Sequence, residues 1–268
     1  DVDALVAVIR AFESETVPSY SGLQPYNDFN DLQQELLLAD WTLLETRLER
    51  LAKQKAKNPK AGEELALLEK CRATLEQDLP LRQLELSADE EKLLRNYDFF
   101  TRKPLIAVVN LDEQQMRGGS YPQQAELEGE LARVNVPLIK VSAQIEAEIS
   151  ELEPEDARMF MEELGLSDSG IARIARTVYA HLGLISFFTA GEKEVRSWTI
   201  RRGDTASRAA GKIHSDLERG FIRAEVVAYG DLIRCGSMQK AKEQGLFRLE
   251  GKEYIVQDGD VITFRFNV

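Results

Sequence analysis

The clearest pattern along the chain is an unbroken apolar run at residues 105–109 that ends in the polar group Asn110-Leu111-Asp112-Glu113. Such a run after Pro104 suits a central parallel strand covered on both faces, and polar groups at its carboxyl end stand where open α/β sheets bind ligands. Asn and Asp after a strand are also ordinary turn formers. Residues 4–12 predict a second buried strand and residues 136–141 a third.

Between the first two strands the period changes. From about residue 30 to 57, Leu37, Trp41, Leu44, Leu48 and Leu51 recur at alternating steps of four and three, which is a heptad seam. Asn58, Pro59 and Gly62 break the helix. Leu65, Leu68, Leu75 and Leu79 resume the spacing, with Arg72 interrupting one position. Two helices joined by a short turn are antiparallel neighbours, so a helical hairpin is inserted in the sheet domain with its tip near Asn58.

Ser87 and Glu90 match a capping box that starts another helix, running towards Tyr97. Residues 122–134 predict a helix, and Ser142 and Ala143 begin one after the third strand. Strand, helix and strand in alternation call for a parallel sheet with right-handed crossovers. Residues 154–164 and 167–182 read as amphipathic helices that pack on this sheet. Beyond Gly183 come short strand-like runs at 185–188, 194–200, 221–228 and 261–266, one helix at 205–213, and a hairpin signal at Asp258-Gly259. The expected organisation is α/β: a parallel-sheet domain over 1–26 and 98–182, the hairpin over 27–97, and a compact α+β domain over 183–268.

Composition narrows the classes. With 43% hydrophobic and 30% charged residues this is the make-up of a soluble globular protein. No apolar run approaches the roughly 20 residues of a membrane helix, and the start lacks the marks of a signal peptide. A chain opening this abruptly on a strand is expected to be cut from something longer. Two distant cysteines, Cys71 and Cys235, make neither a disulfide framework nor a metal motif, and a reducing cytoplasm fits them. His181 and His214 are isolated, so no metal ligands are assigned.

The net charge of −12 argues against indiscriminate nucleic-acid binding, but it is unevenly spread. Residues 183–268 carry 14 Lys and Arg against 12 Asp and Glu, whereas residues 1–182 carry 20 against 34. Within the acidic part the hairpin tip is basic, with Arg47, Arg50, Lys53, Lys55, Lys57 and Lys60 opposing only Glu49. That tip suits either phosphate contact or a solvated helix end.

Phosphate chemistry of the P-loop kind needs Gly-x-x-x-x-Gly-Lys-Ser/Thr. Gly165 and Gly170 have the glycine spacing but are followed by Ile171 and Ala172, and Gly211-Lys212 lacks the first glycine. No carboxylate pair or Ser/His dyad proposes another chemistry, so no catalytic residue is assigned.

The second half nevertheless carries a dense signature. Phe188-Thr189-Ala190-Gly191, Trp198-Thr199-Ile200, Ala209-Ala210-Gly211-Lys212-Ile213-His214, Glu218-Arg219-Gly220-Phe221 and Tyr254-Ile255-Val256-Gln257-Asp258-Gly259-Asp260 through Phe266-Asn267-Val268 resemble the YchF, or Obg-like, ATPases. The resemblance implies a P-loop NTPase-type sheet interrupted by a helical coiled-coil hairpin and followed by a ubiquitin-like (β-grasp) TGS domain. The first strand resembles the family's strand just after its second switch region, so the P-loop, both switches and the catalytic position would precede Asp1. Mg²⁺ would be held in that segment.

The resemblance also sharpens the opening motif. Guanine-specific relatives use Asn-Lys-x-Asp, whereas this chain has the YchF-like Asn-x-x-Glu, which implies ATP over GTP. Asn110 would meet the base edge, Leu111 would pack on its face or ribose, and Glu113 would mark the lost guanine readout. Ser142 and Ala143 resemble the next base-contacting loop. The family's ribosome association implies contacts to ribosomal RNA by Lys53, Lys55, Lys57 and Lys60 at the tip and by Arg201, Arg202, Arg208 and Lys212 in the TGS domain. The resulting expectation is a monomeric, cytoplasmic, ribosome-associated ATPase whose 268 residues alone are inactive. The alternative is a non-catalytic ribosome or RNA adaptor working through the hairpin tip and the TGS domain.

Overall fold

The computed structural model describes residues 2–14, 17, 22–54, 60–191 and 194–267. It divides into two compact units, Asp1–Val178 and Tyr179–Val268.

The first unit is built on a three-stranded parallel sheet in the order β1 (Leu5–Arg10), β2 (Leu105–Asn110), β3 (Leu138–Val141), with β2 in the middle. Between β1 and β2 come α1 (Pro25–Gln54), α2 (Lys60–Leu75) and α3 (Ala88–Leu94). The first two of these helices are the expected hairpin, closed by Leu37, Leu44, Leu48 and Leu51 of α1 against Leu67, Leu68 and Leu75 of α2. The seam position next to Arg72 is not interrupted. Cys71 fills it, fully buried, and Arg72 turns outward to Glu69 and Glu76. Burial pushes the Cys71 thiol up to about 11. The capping box at Ser87 and Glu90 starts α3 as the pattern required.

After β2 follow α4 (Glu113–Gly118) and α5 (Gln124–Arg133), and after β3 come α6 (Ala143–Glu151), α7 (Pro154–Glu163) and α8 (Gly170–His181). Leu105, Ala107, Val109 and Leu111 face the core shared with Ala7, Ile9, Leu127 and Leu131. Ile106, Val108, Ile139 and Val141 face the other way, where Ile174 and Val178 of α8 pack. Two expectations give way here. The first strand is not buried on both faces, because α8 lies over β2 and β3 and leaves Val6 at 44% and Val8 at 71% exposure. Nor does α7 pack on the sheet: it buries none of its own side chains and lies beside α6.

The second unit holds β4 (Leu184–Ala190), β5 (Val195–Arg201), α9 (Ala206–Ile213), α10 (Ser215–Arg219), β6 (Phe221–Ala228), α11 (Tyr229–Cys235), α12 (Met238–Glu243), β7 (Arg248–Glu250) and β8 (Asp260–Phe266). Its mixed sheet runs β5-β4-β8-β6-β7, with β8 parallel to β4 and antiparallel to β6. Ala206 and Ala209 of α9 pack with Ile185, Phe187, Val226 and Ile262 in its core. Asp258-Gly259 is therefore not a hairpin. The turn feeds β8 into the centre of the sheet and is pinned to β4, where Asp258 Oδ1 accepts from Ser186 N (2.8 Å) and Gly259 N donates to Ser186 O (2.8 Å).

Candidate functional site

The carboxyl ends of the three parallel strands are knitted together around Asn110. Ala11 N donates to Asn110 O (2.9 Å), and Leu111 N donates to Val141 O (2.8 Å). The Asn110 side chain then crosses to the next loop, where its Oδ1 accepts from Ala143 N (2.9 Å). An amide oxygen used in this way leaves the amide nitrogen, a two-hydrogen donor, on the other side of the carboxamide. No acceptor among the described residues takes a hydrogen bond from that nitrogen.

The other expected base-site residues are placed differently from one another. Leu111 is 3% exposed and belongs to the sheet core with Val109 and Ala107. The period of two along a strand is the reason: Asn110 points to one face, so Leu111 points to the opposite one. Packing of Leu111 against a base thus gives way to packing against Leu127 and its neighbours. Glu113 is exposed and paired with Arg117 one helical turn on (2.9 Å). Ser142 is buried and caps α6 by accepting from Ile145 N at 3.5 Å, while Ala143 is exposed and presents its N–H to Asn110.

Two neighbours of these residues carry a helix cap that the turn reading of Asp112 does not contain, and Gln115 is absent from the sequence reading altogether. Asp112 is the N-cap of α4, its Oδ1 accepting from Gln115 N (2.7 Å), and Gln115 Oε1 accepts from Asp112 N (2.9 Å) in return. Gln115 Nε2 also donates to Ala11 O (2.6 Å), tying the loop after β2 to the end of β1. The spacing Asp-x-x-Gln is a capping-box signal in its own right and was there to be read.

The basic residues fall into two groups. In the first unit, Lys53 is exposed near the end of α1, whereas Lys55, Lys57 and the side chain of Lys60 lie outside the described residues. Arg47, counted with the tip, is committed to Tyr97 and Glu64: its Nε donates to the Tyr97 hydroxyl (3.0 Å) and a terminal nitrogen to Glu64 (2.9 Å). In the second unit, Arg201, Arg202, Arg208 and Lys212 are all exposed. Arg201 ends β5, Arg202 follows it in the turn, and Arg208 and Lys212 stand one turn apart on α9. Asp204 lies among them, pairing with Arg208 (3.3 Å) and accepting from Arg201 N (2.9 Å).

Among the described residues no group of three or more His, Cys, Asp or Glu is placed to hold a metal ion, and no helix is long and apolar enough to cross a membrane.

A parallel sheet with a helical hairpin between two strands and an asparagine linking two strand-end loops makes the first unit an open α/β sheet domain, and the P-loop NTPase type of fold is given by its match to solved structures. The comparisons with known proteins agree. The family model YchF-GTPase_C, described as a protein of unknown function (DUF933), matches residues 184–267. The Ribosome-binding ATPase YchF of Bacillus subtilis is 46% identical over all of this chain, which spans 74% of that protein. The Ribosome-binding ATPase YchF of Escherichia coli O157:H7 is 43% identical with the same coverage. Among solved structures, the Schizosaccharomyces pombe YchF GTPase matches with a TM-score of 0.85 and 31% identity, covering 98% of this chain and 72% of that one. A GTP binding protein from Pyrococcus horikoshii shares the fold at a TM-score of 0.61 and 20% identity, over 99% of this chain and 79% of that one. The chain belongs to the YchF family.

Proposed function

We propose that the chain carries the base-reading half of an ATP site in a ribosome-associated ATPase. The observation that carries this reading is the Asn110 carboxamide, whose oxygen is held by Ala143 N at 2.9 Å so that its donor end is presented at the carboxyl edge of the sheet. A donor there suits an acceptor nitrogen on a purine edge. Guanine recognition needs in addition a carboxylate to accept from its ring N–H and exocyclic amine. Asp112 is committed to the cap of α4, and Glu113 is paired with Arg117. Adenine has no such donor pair to leave unmatched, which favours ATP.

The name ATPase belongs to the Bacillus and Escherichia relatives and GTPase to the Schizosaccharomyces one, so base preference is the property to measure. Phosphate and Mg²⁺ chemistry would be supplied by family residues with no counterpart motif among these 268, and the chain alone binds adenine nucleotide weakly and does not turn it over. Ligand-observed NMR titration of the chain with ATP and GTP tests this. ATP should bind tighter by about tenfold, as expected when buried or oriented polar groups are left unmatched. Equal binding, or tighter GTP, overturns the adenine reading.

The second reading, an RNA or ribosome adaptor, is favoured by the exposed group Arg201, Arg202, Arg208 and Lys212 in the second unit, the expected TGS domain. Such residues contact phosphates and give salt-dependent binding. In the same assays, ribosome binding that persists in an Asn110→Ala variant without nucleotide would support the adaptor.

A further inference from the structure

We infer that Gln115 is a positioning residue for the base contact, holding the Asn110 loop to the end of β1. The inference rests in part on the reading of Asn110 above. Gln115 uses both ends of its carboxamide: Oε1 accepts from Asp112 N at 2.9 Å, and Nε2 donates to Ala11 O at 2.6 Å. Ala11 in turn donates its N–H to Asn110 O at 2.9 Å. These bonds close a ring through Asn110, Ala11, Gln115 and Asp112, so the segment that aims Asn110 is fastened to a strand 104 positions away in sequence.

Up to Leu111 the segment is held by the strand ladder and by the bond from Leu111 N to Val141 O, but beyond Leu111 little else holds it. The helix α4 spans six residues and contributes no buried side chain, and a helix this short does not persist in water unaided. Met116, packed against the core at its edge, is its one apolar anchor among the described residues. The chemistry of the side chain is specific. A glutamate at this position keeps an acceptor for Asp112 N but has no hydrogen to give Ala11 O, and two oxygens would then face each other. Gln115→Glu therefore cuts the strand tie and leaves the helix cap, whereas Gln115→Ala removes both.

The reporter in the nucleotide-free chain is the amide of Ala143, which is protected only while Asn110 Oδ1 stays in place at 2.9 Å. Hydrogen exchange followed by NMR should show the Ala143 amide exchanging about tenfold faster in Gln115→Glu, the cost of one lost hydrogen bond transmitted to its neighbour. The Ala107 amide, bonded to Pro137 O in the middle of the sheet, should be unchanged and shows that the variant is folded. The second readout is the affinity ratio of ATP to 7-deaza-ATP, which lacks the outer-edge acceptor. Wild type should prefer ATP, and both variants should lose the preference. Wild-type Ala143 exchange in Gln115→Glu overturns the inference, because the cap alone would then suffice. Faster Ala143 exchange with no ATP preference in wild type keeps the positioning role and overturns the base reading instead.

Discussion

Strand β2 is finished differently at its two ends. Ahead of its amino end, Asp40 of α1 is fully buried and saturated: Oδ1 accepts from Phe100 N and Oδ2 from Thr101 N, both at 2.7 Å. The Thr101 hydroxyl accepts from Leu81 N at 3.1 Å, so the lead-in to the strand is locked to the hairpin. At the carboxyl end, Asn110 uses its oxygen and offers its nitrogen outward. A polar side chain whose hydrogen-bonding capacity is used up inside the fold is explained by the fold. One that is oriented by the fold with its donor end at the surface is open to a ligand or to water, and that makes Asn110 a candidate.

The comparison breaks first at Asp40. Burial raises its carboxyl above the usual range, against the bonds from Thr101 and Phe100 that lower it. Asp40→Ala would strand the buried N–H of Thr101 and the part-buried N–H of Phe100, each worth about 1–3 kcal/mol when unsatisfied, so a loss of about 3 kcal/mol is expected in urea denaturation. A loss below about 1 kcal/mol would mean that water replaces the carboxylate, and the closed end would be no more structural than the open one.

Asn110→Ala should cost less, about 1 kcal/mol or under by the same denaturation, because only the bond to Ala143 N is lost and that amide lies at an exposed loop. Under the proposed function its larger effect falls on nucleotide binding. A stability loss equal to that of Asp40→Ala would move Asn110 into the structural class and remove the contrast between the two ends.

The frame of this contrast is legible from residue order, whereas the closed end at Asp40 is not, and the failures have local causes. The apolar run of β2, the hairpin seam and the Ser87 capping box follow from periodicity and spacing alone. The base role of Leu111 comes from the family resemblance alone, whereas the alternation of a strand sends Asn110 and Leu111 to opposite faces. Asp112 and Gln115 carry the same capping signal as Ser87 and Glu90, but an Asp directly after a strand reads equally well as a turn former. Cys71 was missed as a seam residue because a heptad is sought in leucines, although a thiol buries as well as a small hydrophobe. The exposure of Val6 and Val8 depends on where α8 lies, and no pattern within β1 records that.

The smallest effect at neutral pH, and the sharpest in its pH dependence, is expected at Tyr97. It belongs to the saturated class: its hydroxyl donates to Glu64, Arg47 donates to it at 3.0 Å, and its ring stacks on Phe99 with centroids 5.5 Å apart. Burial first, and the bond to Glu64 second, push its phenol up to about 12. A free tyrosine titrates near about 10, so the folded protein holds this proton more tightly than the unfolded chain does. The stabilisation is therefore complete below about pH 10 and is lost as the pH climbs towards 12. Tyr97→Phe should cost about 1 kcal/mol or less at pH 7 and should make the alkaline limb of stability shallower than in wild type. An unchanged alkaline slope in urea denaturation at stepped pH would show that the phenolate is as well accommodated folded as unfolded, and the brace between α1, α2 and the turn after α3 would then be open to solvent in the manner of Asn110.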